Sequence, residues 1–166
     1  MYDYVLQYGF DTESQNYIQS IKEYLKNNGI QDRERNWLPH ITIDLYNCKN
    51  KHEFINKLDI TVKDIKEFYI DFRNLNTCND ETLYIEPYNK KQLMDLKQFF
   101  NKELNIYMLE KRKERQYIPH ATLCTSDTLD KSIQLANNKF NAFTAKIKHI
   151  WIYNRDMELI KEYNLK

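Results

Sequence analysis

One short pattern occurs twice in this chain of 166 residues: a proline, a histidine, an apolar residue and a threonine. It reads LPHITID at positions 38–44 and IPHATLC at positions 118–124, so that His40 and His120 are 80 positions apart. The same offset aligns Tyr8 with Tyr88. Because the offset is close to half the chain, the two copies indicate an internal duplication, which constrains the fold as well as the chemistry.

The predicted secondary structure repeats with the motif. A strand over 2–10 precedes a helix that is expected to begin at Asp11 or Thr12 and to end at Gly29. A strand containing the first motif, a short helix and another strand follow. The second half repeats this order and adds a last strand. The sequence therefore predicts an α+β fold of two βαβαβ units, roughly 1–78 and 79–166, as one bilobal domain whose lobes face a central cleft.

Composition limits the function classes. Hydrophobic residues make up 42% and charged residues 30% of a chain long enough for one well-packed domain. With only two glycines, the chain cannot form a glycine-rich phosphate loop. Its net charge of +1 gives no general attraction to nucleic acid or membrane. No membrane span or secretory segment is expected. Three cysteines without a CxxC pair favour reduced thiols, and hence a cytoplasmic protein.

Strand geometry places the motif residues on shared faces. Alternate residues of a strand point the same way, so His40, Thr42 and Asp44 are predicted to face away from the core. His120, Thr122 and Cys124 are predicted to repeat this arrangement in the second copy. If the duplicated lobes are related by a pseudo-twofold axis, both His–Thr pairs meet at that axis.

Two histidines across one cleft can supply a general base and a general acid, since imidazole titrates near neutral pH. Threonine hydroxyls beside them can hydrogen-bond to an anionic tetrahedral centre, as in-line attack at phosphorus requires. This chemistry needs no metal and no cofactor. An alternative from residue types alone is a zinc site formed by His40, His120 and Cys124.

Paired HxT motifs on strands, about half a chain apart, resemble those of the 2H phosphoesterase superfamily, in particular its 2′-5′ RNA ligase-like branch. The resemblance implies a bilobal α+β fold with antiparallel sheets, metal-independent chemistry, and opening of a 2′,3′-cyclic phosphate to a 2′-phosphate. It makes His40 and His120 the catalytic acid–base pair, with His120 favoured for activating water and His40 for protonating the departing oxygen. Thr42 and Thr122 become the phosphate contacts.

One departure from this resemblance is visible. RNA ligase-type relatives often carry an arginine shortly after the second motif, where this chain has LCTSD.

A polar, basic stretch precedes each motif: DRERNW before the first and EKRKERQY before the second. Their cations could attract phosphates, and their aromatic residues could stack on a base or ribose. We therefore predict that Arg35, Trp37, Arg115 and Tyr117 bind substrate. The expected partner is an RNA end or a small nucleotide with a cyclic phosphate, and a monomer is expected.

Two other functions are compatible with the same residues. A binding module could keep the fold and bind RNA or nucleotides without turnover. A weak 2′-5′ RNA ligase would run the same phosphodiester chemistry in reverse.

Overall fold

The computed structural model describes residues 1–34 and 36–166 and folds them around one seven-stranded antiparallel sheet. The strands are β1 (Tyr4–Phe10), β2 (His40–Tyr46), β3 (Phe68–Cys78), β4 (Thr82–Pro87), β5 (Ala121–Thr125), β6 (Phe143–Asn154) and β7 (Leu159–Asn164). The helices are α1 (Thr12–Asn27), α2 (Lys51–Val62), α3 (Lys91–Glu103), α4 (Glu110–Lys113) and α5 (Leu129–Lys139), with a 3-10 turn at Asn105–Tyr107. The predicted α+β class is confirmed. The 3-10 turn and α4 were not predicted.

The limits predicted for the first helix are confirmed by its caps. The carboxylate of Asp11 accepts a hydrogen bond from the Ser14 amide at 2.9 Å, which satisfies one of the free donors of the first turn. After Asn27 the chain leaves the helix through Gly29 at φ +86°, a conformation that glycine adopts without strain.

The order of strands, β2-β1-β6-β3-β4-β5, shows how the two halves of the chain combine. The third strand of each half pairs with the first strand of the other half: β6 with β1, and β3 with β4. β3 and β6 also pair with each other, so the antiparallel layers of the two lobes are parts of one continuous sheet. The two motif strands, β2 and β5, lie at its two ends, and β7 pairs with the outer part of β6.

Both motif strands carry a β-bulge directly after the motif threonine. Thr42 pairs with Gln7, and Thr122 pairs with Tyr84, but the register shifts at the next pair in each case. The extra residue is Ile43 in β2. A bulge bends its strand and changes which side chains share a face, and bulges are frequent beside functional sites.

The bulge explains why strict alternation fails at two positions of β2. Ile43 and Asp44 are both buried, whereas strict alternation would bury Ile43 and expose Asp44. Leu45, which strict alternation would place on the core side with Ile43, is only half-buried. The carboxylate of Asp44 therefore lies inside the protein and needs a charged partner there.

Gly9 allows close packing beside the first motif. It pairs with His40 across the β1–β2 ladder, and a methyl group on it would lie 2.5 Å from the ring of Trp151. A side chain at this position would therefore displace the indole.

No helix in the described part of the chain combines the length and the apolar content needed to cross a bilayer.

Candidate active site

The two motif histidines are held by the same local geometry. The Nδ1 atom of His40 lies 2.7 Å from the carbonyl oxygen of Leu38, and the Nδ1 atom of His120 lies 2.7 Å from that of Ile118. A carbonyl oxygen can only accept, so each Nδ1 carries the proton and donates it. In the neutral ring Nε2 is then the unprotonated nitrogen, which is the atom that can take up or deliver a proton.

Proline contributes to this arrangement. The residue before a proline is restricted to extended conformations, which places the carbonyls of Leu38 and Ile118 consistently relative to the following histidine. Pro39 and Pro119 are buried, so the ring that fixes the backbone is also packed against the core. This is a physical reason for the proline in both copies of the motif.

The structure brings both motifs to one cavity. His40, Thr42, His120 and Thr122 all line a space of about 270 Å³. The four residues come from the two ends of the sheet, which the curvature of the sheet brings face to face.

A second cavity, of about 320 Å³, adjoins the first. The two share Thr42, Arg112 and His120. We call the first the histidine cavity and the second the cationic cavity, because the second is also lined by Lys97 and Arg115.

The surroundings of His40 favour the uncharged form of its ring. The pKa of His40 is lowered to about 4, chiefly by burial of the ring. The hydrogen bond to the Leu38 carbonyl opposes this shift, and the nearby charges of Lys22 and His120 add to it. At neutral pH His40 is therefore the uncharged ring, with a free lone pair on Nε2.

Aromatic rings flank both histidines. The ring of Trp37 meets that of His40 nearly edge-on, at 6.0 Å between centroids, and packs against Tyr153 at 5.1 Å. On the other side the ring of Tyr84 lies 5.0 Å from that of His120. Trp37 lines the histidine cavity and also supports the His40 ring, and its contact with substrate stays a prediction.

Tyr117, the second aromatic residue predicted to bind substrate, makes a contact within the protein. Its hydroxyl donates a hydrogen bond to the carbonyl oxygen of Thr42 at 3.0 Å and so ties the second motif segment to the first motif strand. Its half-buried ring lines the cationic cavity. Stacking on a base would have to use the part of this ring that faces the cavity, and that role stays a prediction.

The basic stretches contribute unequally. Arg115 lines the cationic cavity, whereas Arg35 lies outside the described residues. Arg112, which the sequence reasoning did not single out as a site residue, lines both cavities. Nothing in its local sequence distinguishes it from the neighbouring cations, because its position depends on Asp44, 68 residues away.

Asp44 anchors two cations beneath the cleft. Its carboxylate accepts a hydrogen bond from Nε of Arg112 at 2.6 Å and another from the ammonium group of Lys97. All three side chains are largely buried, with exposed fractions of 1% for Asp44, 8% for Lys97 and 18% for Arg112. Burial lowers the pKa of Lys97, and the Asp44 carboxylate opposes that shift.

Three charged residues of the first stretch form hydrogen bonds or ion pairs at the surface of the protein. Asp32 and Glu34 accept hydrogen bonds from the Thr125 amide and hydroxyl at 2.9 and 3.0 Å, and Arg33 pairs with Glu81 at 2.7 Å. The loop before the first motif is thereby fixed to the end of β5.

The corresponding loop before the second motif is fixed to the end of β2. Tyr107 accepts a backbone hydrogen bond from Asn47 at 2.8 Å, and Met108 forms an isolated bridge with Tyr46. The two loops therefore cross between the halves of the chain and hold the motif strands face to face.

The alternative zinc site receives no support from the geometry. Within residues 1–34 and 36–166 no group of three or more histidine, cysteine, aspartate or glutamate side chains is placed to hold a metal ion. The prediction that Cys124 shares the cleft face with Thr122 is wrong, because the bulge between them changes the alternation and Cys124 is 1% exposed. Burial raises the pKa of its thiol.

The fold and the paired HxT site match a known class of protein. The sequence profile of the 2′-5′ RNA ligase superfamily matches residues 10–158, and the protein belongs to this superfamily. The 2H phosphoesterase resemblance of the motifs is thus confirmed. Comparison with curated proteins gave no sequence match.

Solved structures show the same fold. Escherichia coli LigT complexed with 3′-AMP matches with a TM-score of 0.69 at 8% identity, over 99% of this chain and 98% of LigT. TT0787 of Thermus thermophilus matches with a TM-score of 0.68 at 8% identity, over 98% and 97% of the two chains. LigT complexed with NADP⁺ matches with a TM-score of 0.64 at 10% identity, over 99% and 98%. At such identities the likeness is one of fold.

Proposed function

We propose that the protein is a metal-independent phosphodiesterase that opens the 2′,3′-cyclic phosphate of an RNA end or nucleotide and leaves a 2′-phosphate. The observation that carries the proposal is that both His–Thr pairs line one cavity, with each imidazole oriented through Nδ1 so that Nε2 remains for proton transfer. Superfamily membership supports phosphodiester chemistry. The LigT crystals with 3′-AMP and NADP⁺ support a nucleotide as the ligand class.

The low pKa of His40 supports it as the base. In the proposed reaction Nε2 of neutral His40 takes a proton from water as the water oxygen bonds to phosphorus. The bond from phosphorus to the 3′-oxygen breaks, and Nε2 of charged His120 gives its proton to that oxygen. The resemblance favours the reverse order of the two histidines, but the enclosed position of His40 supports its role as the base. The hydroxyls of Thr42 and Thr122 donate to the remaining phosphate oxygens.

The direct test uses a short RNA ending in a 2′,3′-cyclic phosphate, incubated with the purified protein with and without EDTA. Mapping of the product end is expected to give a 2′-phosphate at the same rate in both conditions. RNA binding without product would contradict the proposal in favour of the binding module. Joining of the cyclic end to a second RNA with a 5′-hydroxyl would favour the ligase. Activity lost in EDTA and restored by zinc would contradict metal independence.

The pH dependence tests the order of proton transfer. If His40 is the base, kcat/KM should show no loss between neutral pH and about pH 5, and should fall only as His40 becomes protonated, through its pKa of about 4. NMR titration of the histidine ring signals measures the same pKa without turnover. In a His120→Gln variant the pKa of His40 should rise, because the charge of His120 helps to lower it.

Circular dichroism at each pH separates this effect from unfolding. An NMR midpoint for His40 near the ordinary value of about 6.5 would contradict the assignment.

A further inference from the structure

The acid–base mechanism leaves the cationic cavity unused. Among the residues that the structure describes, this cavity presents Lys97, Arg112 and Arg115 against one carboxylate, that of Asp44. It adjoins the histidine cavity on the His120 side. A group bound in the cationic cavity would therefore be close to, and distinct from, the phosphate under attack.

The buried part of this cavity carries excess positive charge. One Asp44 carboxylate faces both Lys97 and Arg112, and all three side chains are largely removed from water. A buried charge without full compensation is costly, and an anion in the cavity would offset that cost. Asp44 uses the Nε donor of Arg112, so the donors left for a ligand are those on the two terminal nitrogens of the guanidinium, which suit phosphate oxygens.

Arg115 adds an accessible cation to the same cavity. Its backbone amide donates to the Arg112 carbonyl at 3.3 Å, which fixes the two arginines at neighbouring positions. The side chain is exposed, and within the described residues it makes no ion pair with a carboxylate. Lys113, between them in the chain, pairs instead with Glu110 at 2.7 Å and lines neither cavity.

We propose that the cationic cavity binds a phosphate on the 5′-oxygen of the same nucleoside whose 2′,3′-cyclic phosphate is opened. This inference rests on the proposed function and specifies its substrate. The two cavities share Thr42, Arg112 and His120, so a single nucleoside can connect a phosphate in one with a phosphate in the other. The 5′-phosphate has two sources, a free 5′-monophosphate or the upstream linkage of an RNA chain.

The test compares three substrates that have the same base and the same 2′,3′-cyclic phosphate. The first has a 5′-hydroxyl, the second a 5′-monophosphate, and the third an upstream nucleotide joined through the 5′-oxygen. Hydrogen bonds from a cation to phosphate contribute about 1.5–3 kcal/mol, so kcat/KM should be about 10- to 100-fold higher with a 5′-phosphate than with a 5′-hydroxyl. A gain for only one phosphorylated substrate would support the cavity and identify the source.

Arg115→Gln tests the cavity with a variant at an exposed position, where folding should not be affected. The ratio of kcat/KM between phosphorylated and 5′-hydroxyl substrates should fall toward one. The matched control is Lys113→Gln, which removes the same charge from the same segment and should leave the ratio unchanged. Equal loss in both variants would overturn the inference, because it would indicate general attraction and not a defined contact.

The substrate series also separates the two proposals. Equal hydrolysis of all three substrates would overturn the inference and leave the proposed function intact. Hydrolysis of none of them would overturn the proposed function, and this inference with it.

Discussion

Replacing either His40 or His120 with alanine is expected to lower kcat/KM on an RNA with a 2′,3′-cyclic phosphate by about 10²–10⁴-fold, the usual contribution of a positioned general acid or base. The expectation follows from the geometry of the site. Each ring has its Nδ1 proton bound to a backbone carbonyl, so only Nε2 can take part, and alanine removes it. Steady-state kinetics of the two variants against the unmodified protein measure the loss.

The two histidines should also act as a unit. Once either proton carrier is missing, the concerted transfer is lost, so the double variant should be only slightly slower than the slower single variant. His52→Ala is the matched control, because this exposed histidine in the first turn of α2 lines neither cavity. Circular dichroism and thermal melting should show that all variants are folded. Full activity of His40→Ala would contradict the paired-histidine site.

The motif carried most of the information that the sequence could give about the site. The HxT spacing places a histidine and a threonine on one face of a strand, and a duplicated pattern predicts that two such faces meet. Those inferences need only local geometry and the internal repeat. The structure places His40, Thr42, His120 and Thr122 around one cavity, as that reasoning expected.

The pairing between the halves could not be predicted in the same way. A gapless shift of 80 positions aligns Tyr8 with Tyr88, but Tyr8 is buried in β1 and Tyr88 is exposed after β4. The structural partners of the two motif threonines are Gln7 and Tyr84. Strand exchange between halves is set by long-range pairing, which leaves no periodic signal in either strand alone.

The buried ion pairs of Asp44 with Lys97 and Arg112 could not be predicted from the sequence for a similar reason. Strict alternation assigned Asp44 to the cleft face, and only the bulge at Ile43 shows that the carboxylate is buried. Its partners come from α3 and α4, more than 50 residues away. In the sequence alone, Lys97 and Arg112 cannot be distinguished from ordinary surface cations.

Asp44→Ala is expected to destabilise the protein by about 3–5 kcal/mol, because removing one partner of a buried ion pair leaves an uncompensated buried charge. Here two cations, Lys97 and Arg112, would lose their only carboxylate within the triad. Urea unfolding followed by circular dichroism measures the change in the free energy of unfolding. Glu81→Ala is the comparison for an exposed pair: its bridge to Arg33 should contribute no more than about 1 kcal/mol.

A second substitution distinguishes lost charge compensation from simple loss of packing. If uncompensated charge causes the destabilisation, Lys97→Met should recover part of the stability in the Asp44→Ala background, since it removes one of the two orphaned cations. In the unmodified protein the same substitution should be tolerated better than Asp44→Ala, because Arg112 would still be paired with Asp44. If Lys97→Met instead lowered the free energy of unfolding by the same amount in both backgrounds, the charges of the three groups would not be coupled.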